Sequence, residues 1–130
     1  MFETLIVEDD PLFRQIVKEI LASKFPFMCV RQAAHGREAL QKFDSHHPDI
    51  ILMDIKLPGM NGLELTKRIK GSNPEVLVII LTNHDTSQYR KAALECGADY
   101  FISKASTIED EIETAVRSAF SSRNQEPRAE

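Results

Sequence analysis

The chain has 130 residues, of which 42% are hydrophobic and 28% are charged. This length is typical of a single domain with one hydrophobic core, and it argues against a two-domain enzyme with a cleft between its halves. Twenty acidic residues against 16 basic ones give a net charge of -4, which disfavours direct binding of this chain to the phosphates of a nucleic acid.

The cysteines and the amino terminus carry no sign of export. Cys29 and Cys96 are far apart in the sequence and form no CxxC pair, so neither a zinc site nor a disulfide framework is predicted. No basic region precedes an apolar stretch at the amino terminus, and no apolar run approaches the roughly 18 residues that a membrane span needs. We therefore expect a cytoplasmic chain with no membrane partner.

Five short apolar runs predict five strands. The run at residues 76–81 is apolar at every position, which is typical of a parallel strand with helices on both faces of its sheet. The predicted strands are Thr4–Val7, Met28–Val30, Ile50–Met53, Val76–Leu81 and Tyr100–Ile102.

The first predicted helix follows the first strand. Asp10 is a suitable N-cap, and Pro11 is favoured at the first helical position. Leu12, Ile16 and Ile20 recur at four-residue spacing. This spacing predicts the first helix.

The stretches between the later strands are also helical in pattern. Gly36 to Phe43 predicts a second helix, and Asn61 with Glu64 forms a capping box before a third helix that Gly71 ends. The segment from Asp85 to Cys96 predicts a fourth helix. Ser106 and Glu109 form a second capping box, which opens the fifth helix.

Regular alternation of strands and helices predicts a doubly wound α/β fold, in which a five-stranded parallel sheet lies between two layers of helices. Residues 1–120 are assigned to this domain. Residues 121–130 have Ala129 as their sole apolar residue, so they are predicted to form a polar tail or the start of a linker.

Polar residues follow the predicted strands. In an open parallel sheet, the carboxyl ends of the strands form the ligand-binding edge, so these residues are expected to converge there. The polar residues at strand ends are Glu8, Asp9, Asp10, Asp54, Thr82, Ser103 and Lys104.

The acidic residues of this set predict a metal site. Asp54 at the end of a buried strand would be destabilised by desolvation and by repulsion from Glu8 and Asp9, so a cation must compensate. Carboxylate oxygens are the ligands that Mg²⁺ prefers, and Lys104 supplies a second positive charge. A carboxylate beside Mg²⁺ can attack a phosphoryl group to form an acyl phosphate, whose oxygens Lys104 and the Thr82 hydroxyl would bind.

Four sequence features together resemble the receiver domain of bacterial two-component response regulators. They are LIVEDDP at residues 5–11, MDIKLPGMNG at residues 53–62, Leu81-Thr82, and Lys104. The similarity covers about residues 3–120 and implies a flavodoxin-like three-layer sandwich. It also implies transfer of a phosphoryl group to Asp54 from the phosphohistidine of a histidine kinase or a phosphotransfer protein, with Mg²⁺ required.

The resemblance also implies a set of metal ligands. Asp9 and Asp54 would bind Mg²⁺ through their carboxylates, the backbone carbonyl of Lys56 would be a further ligand, and Glu8 would act through a water molecule.

A switch is implied as well. Thr82 would turn toward the phosphoryl group and Lys104 would pair with it, while Phe101 occupies the position of the aromatic residue whose rotamer follows Thr82. An ordinary half-buried aromatic is the alternative for Phe101.

Three positions depart from the common pattern of this family. Ala105 follows Lys104 where a proline with a cis peptide bond is common, and a non-proline cis bond costs about 3 kcal/mol. Asn83 is larger than the usual residue after Thr82 and is polar, and we expect it either to narrow access to the phosphoryl site or to form its own hydrogen bond. Glu8 replaces the commoner aspartate, which retains the charge and lengthens the reach.

Three functions compete for this sequence. The preferred hypothesis is a phosphorylation-controlled switch that supports its own phosphorylation and dephosphorylation and is otherwise not an enzyme. A pseudo-receiver, which keeps the fold without being phosphorylated, ranks second. It would normally have lost Asp54 or Lys104, and both are retained. A phosphoaspartate hydrolase ranks last, because Lys56 occupies the place of its general acid and base.

The output of the switch is expected on the face formed by the fourth helix, the last strand and the last helix, which would contact protein partners or form a homodimer on phosphorylation. The segment KASTIEDEI at residues 104–112 is loosely similar to receivers of the NarL type. That similarity implies a transcription regulator whose effector domain lies outside this chain. A single-domain regulator that acts by protein contact is the alternative.

Overall fold

The computed structural model describes residues 2–124, in which five strands and five helices alternate along the chain. The strands are Glu3–Val7 (β1), Cys29–Ala33 (β2), Ile50–Met53 (β3), Leu77–Thr82 (β4) and Tyr100–Ser103 (β5). The helices are Pro11–Lys24 (α1), Gly36–His46 (α2), Gly62–Ser72 (α3), Ser87–Glu95 (α4) and Ile108–Asn124 (α5).

All strand pairs are parallel, in the order β2-β1-β3-β4-β5. At the centre of the sheet, Val7 of β1 is in register with Met53 of β3, so these strands end side by side. Thr82 of β4 is in register with Ser103 of β5. The predicted doubly wound parallel sheet is confirmed.

The sheet separates two hydrophobic clusters, because alternate side chains of a strand point to opposite faces. On one face, Leu5 and Met53 pack with residues of α2, α3 and α4. On the other face, Ile6 and Leu52 pack with residues of α1 and α5. The result is the predicted three-layer arrangement.

Helix α1 begins as predicted but buries a different face. The Asp10 carboxylate accepts hydrogen bonds from the backbone N–H groups of the first turn. Leu12 and Ile16, however, are 71% and 39% exposed, whereas Val17 and Leu21 are buried. The apolar residues whose spacing predicts the helix are therefore not, at these two positions, the ones that pack on the sheet. Both sets of apolar residues have four-residue spacing, and only contact with the sheet distinguishes them.

Strand β2 extends to Ala33, three residues beyond the predicted end. The polar residues Arg31 and Gln32 end the apolar run, so the sequence pattern does not predict this part of the strand. Polar residues are tolerated here because β2 lies at the edge of the sheet, where the residues before Ala33 are only partly buried. Two helices are also longer than predicted. Helix α2 continues to His46, and α3 passes Gly71 to end at Ser72, with Asn73 as its C-cap.

Helix α5 starts at Ile108, one residue later than a cap at Ser106 predicts. The Ser106 hydroxyl donates to the Ser103 carbonyl at 2.7 Å, in the turn before the helix. The Thr107 carbonyl accepts from the Glu111 N–H at 3.2 Å, so Thr107 precedes the first helical turn. The helix continues to Asn124, into the segment assigned to the polar tail, and the remaining residues 125–130 lie outside the described part.

Among residues 2–124, no helix combines the length and the apolar character that crossing a membrane requires.

A buried hydroxyl in β1 provides a test of the packing. Thr4 is 1% exposed, and its Oγ1 is the one buried side-chain polar atom of the described residues that lacks a hydrogen-bond partner. Thr4→Val replaces this hydroxyl by a methyl group of similar size. We expect the free energy of unfolding, measured by urea denaturation, to rise by about 1 kcal/mol because an unpaired buried polar group is removed.

Thr66→Val is the matched control, since Thr66 is equally buried but donates its hydroxyl to the Gly62 carbonyl at 2.8 Å. This variant should lose stability. A loss of stability in both variants would contradict the account of Thr4.

Candidate functional site

The two central strands carry their acidic residues to one edge of the sheet. The Glu8 N–H donates to the Ala33 carbonyl at 3.0 Å, and the Asp54 N–H donates to the Val7 carbonyl at 3.1 Å. Both carboxylates therefore start from backbone that the strand ladder fixes. The strand order reverses at β1, so the crossovers on either side leave a crevice at this point.

Lys104 bridges these two carboxylates. Its Nζ lies 2.8 Å from Glu8 Oε1 and 2.9 Å from Asp54 Oδ2. The side chains are 9% exposed for Lys104, 5% for Glu8 and 10% for Asp54, so this is a buried ionic cluster. The backbone N–H of Lys104 donates to the Thr82 carbonyl at 2.9 Å, which anchors the lysine at the end of β4.

Burial and hydrogen bonding oppose each other in this cluster. Burial raises the pKa of Glu8, and the hydrogen bond from Lys104 offsets only part of that effect. For Lys104, burial alone would lower the pKa, but hydrogen bonds to Glu8 and Asp54 outweigh it and the pKa is raised. Lys104 is therefore a permanent cation at neutral pH.

The remaining carboxylate oxygens face backbone N–H groups. Asp54 Oδ1 accepts from the Ile55 N–H at 2.7 Å, and Glu8 Oε2 accepts from the Asp10 N–H at 3.1 Å. These bonds fix the two side chains without neutralising their charge.

Asp9 completes an oxygen-rich cluster. One carboxylate oxygen from each of Glu8, Asp9 and Asp54 lies within 4.8 Å of the others. Asp9 is exposed while the other two are buried, so the cluster is open to solvent on one side. Hard carboxylate oxygens with room for water suit Mg²⁺, and the residues that the sequence singled out are brought together.

Lys56 lies in the loop between β3 and α3, two residues after Asp54. Its side chain is exposed, and its Nζ lies 5.7 Å from the centroid of the Tyr89 ring. The loop position is compatible with a backbone ligand, and the metal-binding role of its carbonyl stays a prediction.

Thr82 ends β4 and is fully buried. Its Oγ1 accepts a hydrogen bond from the His84 N–H at 3.2 Å, and a hydroxyl that accepts in this way keeps its own proton for donation. Asn83 follows it with an exposed side chain. The described residues contain no cis peptide bond, so the Lys104–Ala105 bond is trans.

Phe101 lies on β5, half-buried against the cluster under α2, α3 and α4. The Arg90 guanidinium lies 4.7 Å from the centroid of its ring, and Arg90 Nε is 2.6 Å from Asp85 Oδ1. Phe101 therefore links β5 to α4 and to the loop before it. Its assignment as a switch residue stays a prediction.

Two residues contact the site in ways that the sequence does not predict. The first is Gly62, which follows the N-cap Asn61 as the first residue of α3. A Cβ atom on Gly62 would lie 2.0 Å from the Asp54 carbonyl oxygen. The second is Phe13, whose ring centroid lies 4.3 Å from Lys104 Nζ.

The Gly62 contact predicts that a single methyl group disrupts the site. Gly62→Ala must displace either the Asp54 backbone or the start of α3, because backbone cannot yield as a flexible side chain can. We expect the free energy of unfolding to fall by about 2 kcal/mol, measured by urea denaturation. Gly71→Ala is the control, since nothing lies within 4 Å of its Cβ position in the same helix, and it should be neutral or stabilising. Equal effects of the two variants would contradict the close approach.

The buried cluster predicts a coupling between charge and stability. Lys104→Met leaves two buried carboxylates without a cation, so the free energy of unfolding in Mg²⁺-free buffer should fall by about 3 kcal/mol. Mg²⁺ should then raise the melting temperature of this variant more than that of the wild type.

Lys91→Met, at an exposed position of α4, is the control and should leave both quantities unchanged. An equal Mg²⁺ response in the Lys104→Met variant and the wild type would show that Lys104 does not compensate the carboxylates.

Comparison with known proteins places this chain in a family. The response regulator receiver domain family matches residues 4–117. The transcriptional regulatory protein DegU of Brevibacillus brevis is 36% identical over 102 residues, which cover 78% of this chain and 43% of that protein. The response regulator GacA of Pseudomonas viridiflava is 32% identical over 120 residues, which cover 92% of this chain and 56% of that protein. The chain thus spans about half the length of these curated relatives.

A solved structure of a receiver domain has the same fold as this chain. The crystal structure of a CheY-like response regulator receiver domain protein from Methanospirillum hungatei JF-1 matches with a TM-score of 0.85 and 28% identity, covering 96% of this chain and 98% of that one. The predicted flavodoxin-like fold is confirmed. With its family match over residues 4–117, this chain belongs to the response regulator receiver domain family.

Proposed function

We propose that the chain is a phosphorylation-controlled signalling switch that accepts a phosphoryl group on Asp54. The single observation that carries this proposal is the ion pair between Asp54 and Lys104, at 2.9 Å, on an edge of the sheet where Glu8 and Asp9 converge. A carboxylate held beside a permanent cation, at a crevice open to solvent, is placed to attack an incoming phosphoryl group.

The donor would be the phosphohistidine of a histidine kinase or of a phosphotransfer protein. An Asp54 carboxylate oxygen attacks the phosphorus atom, a P–O bond forms, and the P–N bond breaks with its electron pair returning to the imidazole nitrogen. The Lys104 ammonium then pairs with a phosphoryl oxygen, and the Thr82 hydroxyl donates a hydrogen bond to another. The same groups would bind the phosphoryl oxygens when water attacks the phosphorus atom and releases Asp54 and phosphate. No other reaction is proposed for this chain.

Glu8, Asp9 and Asp54, together with the backbone carbonyl of Lys56, would hold Mg²⁺. When bound, the ion supplies positive charge toward the phosphoryl oxygens. Lys104 pairs with both Glu8 and Asp54, so it would share the neutralisation of these carboxylates with the ion.

We propose that the response travels through Thr82 and Phe101 to the face formed by α4, β5 and α5. Phe101 contacts Arg90 of α4 directly, so a change of its rotamer would alter that face. A homodimer or another protein would bind there. No nucleic acid is expected to bind this chain, and a cytoplasmic location is expected.

The output is proposed to be transcription regulation through an effector domain outside this chain, of the NarL type. The length of DegU, a transcriptional regulatory protein of which this chain spans 43%, supports that proposal. A single-domain regulator that acts by protein contact is the alternative, as is a pseudo-receiver that retains the fold without phosphorylation.

The nucleophile can be tested by intact-mass analysis after incubation with acetyl phosphate, with and without Mg²⁺. We expect the wild type to gain one phosphoryl group only with Mg²⁺, and hydroxylamine to remove it, because hydroxylamine cleaves acyl phosphates and spares phosphoesters. Asp54→Asn should abolish the adduct. Asp44→Asn, at an exposed position of α2, should leave it unchanged.

Normal labelling of the Asp54→Asn variant would contradict the choice of nucleophile. Absence of any adduct in the wild type, with acetyl phosphate and with a phosphorylated histidine kinase, would favour the pseudo-receiver.

A further inference from the structure

The aromatic ring of Phe13 lies against the ammonium group of Lys104. The ring centroid is 4.3 Å from Nζ, which is within the range of a favourable cation–π contact. Phe13 is in the first turn of α1, where its N–H donates to Asp10 Oδ1 at 3.4 Å. Its side chain is half-buried and packs against the cluster under α1 and α5. The N-cap and the core thus fix the ring beside the lysine.

The Lys104 ammonium group has three close neighbours. An ammonium group has three N–H donors, and Glu8 and Asp54 accept from two directions at 2.8 and 2.9 Å. The Phe13 ring is its third neighbour, and it attracts the cation without offering an anionic ligand. The side chain of Lys104 is only 9% exposed, so it is largely shielded from water.

The carboxylates and the Phe13 ring would respond differently to phosphorylation. A phosphoryl group on Asp54 would compete with the two carboxylates for Lys104, because all of them are hydrogen-bond acceptors. The contact with Phe13 does not compete for a proton. Lys104 can therefore exchange a carboxylate oxygen for a phosphoryl oxygen while it stays against the ring.

We propose that Phe13 is a positioning residue that holds the Lys104 ammonium at the phosphoryl site through its ring face. This inference rests on the proposed phosphorylation of Asp54. Without the attraction of the ring, Lys104 would keep its ionic partners but lose the contact that persists when those partners change. Phosphorylation of Asp54 would become slower.

The test replaces Phe13 by phenylalanine with one, two or three ring fluorines. Fluorine withdraws electron density from the ring face and weakens cation binding, while the shape of the side chain changes little. We expect the rate of Mg²⁺-dependent phosphorylation by acetyl phosphate to fall with each fluorine, by roughly three- to tenfold for the trifluoro variant. A packing role alone would not produce this graded dependence.

The same series at Phe43 is the matched control. Phe43 is a buried phenylalanine of α2, and no cation lies over its ring among the contacts of the described residues. Its fluorination should leave the rate unchanged. Equal rates across the Phe13 series, in a chain whose wild type is phosphorylated, would overturn the inference and leave the proposed function intact.

A second measurement does not depend on phosphorylation. The ring should shift the NMR signals of the Lys104 Cε protons upfield from those of other lysines, and Phe13→Leu should remove that shift. If the wild type accepts no phosphoryl group, the proposed function fails. A normal Lys104 signal in the wild type would overturn the placement of the lysine by Phe13.

Discussion

The ion pairs of Lys104 with Glu8 and Asp54 are the constraint on which the rest of the site depends. Two carboxylates lie buried at the ends of adjacent strands, and isolated charges of this kind are costly to desolvate. The compensating cation comes from the end of β5, which is two strands away from β3 in the sheet. The cluster therefore forms only when the complete sheet is assembled in its correct order.

The backbone around this cluster is equally constrained. Gly62 brings the start of α3 against the Asp54 carbonyl, and the Gly62 N–H donates to the Ile55 carbonyl at 2.7 Å. On the other side of the site, Arg14 of α1 donates to the Glu8 carbonyl at 2.6 Å and to the Gln32 side chain at 3.1 Å. These contacts fix the backbone of Glu8 and Asp54, so the positions of their side chains are set before a reacting group arrives.

Much of the fold could be predicted from the sequence, because apolar runs such as residues 76–81 are typical of strands buried on both faces. The convergence of Asp54 and Lys104 could be predicted too, since parallel strands present their carboxyl ends at one edge. The buried face of α1 could not, because two apolar lines share the same spacing and only packing chooses between them. In the folded chain, Val17 is buried and Ile16 is exposed.

The contacts of Gly62 and Phe13 were also beyond prediction from the sequence. Gly62 follows the predicted cap Asn61 like any first residue of a helix, and the sequence does not show that its Cβ position lies against the Asp54 carbonyl. Phe13 is far from Lys104 in the sequence and belongs to a helix whose orientation packing decides. Both contacts arise where α1 or α3 meets the strand ends, and sequence patterns describe such junctions poorly.

The most direct test of the account is to locate the phosphoryl group chemically. Borohydride reduces an acyl phosphate of aspartate to homoserine, so peptide mass spectrometry of the reduced protein identifies the modified residue. The account predicts homoserine at position 54, formed only when both Mg²⁺ and a phosphoryl donor were present. Homoserine at Asp9 or at another aspartate, or its formation at position 54 without Mg²⁺, would contradict it.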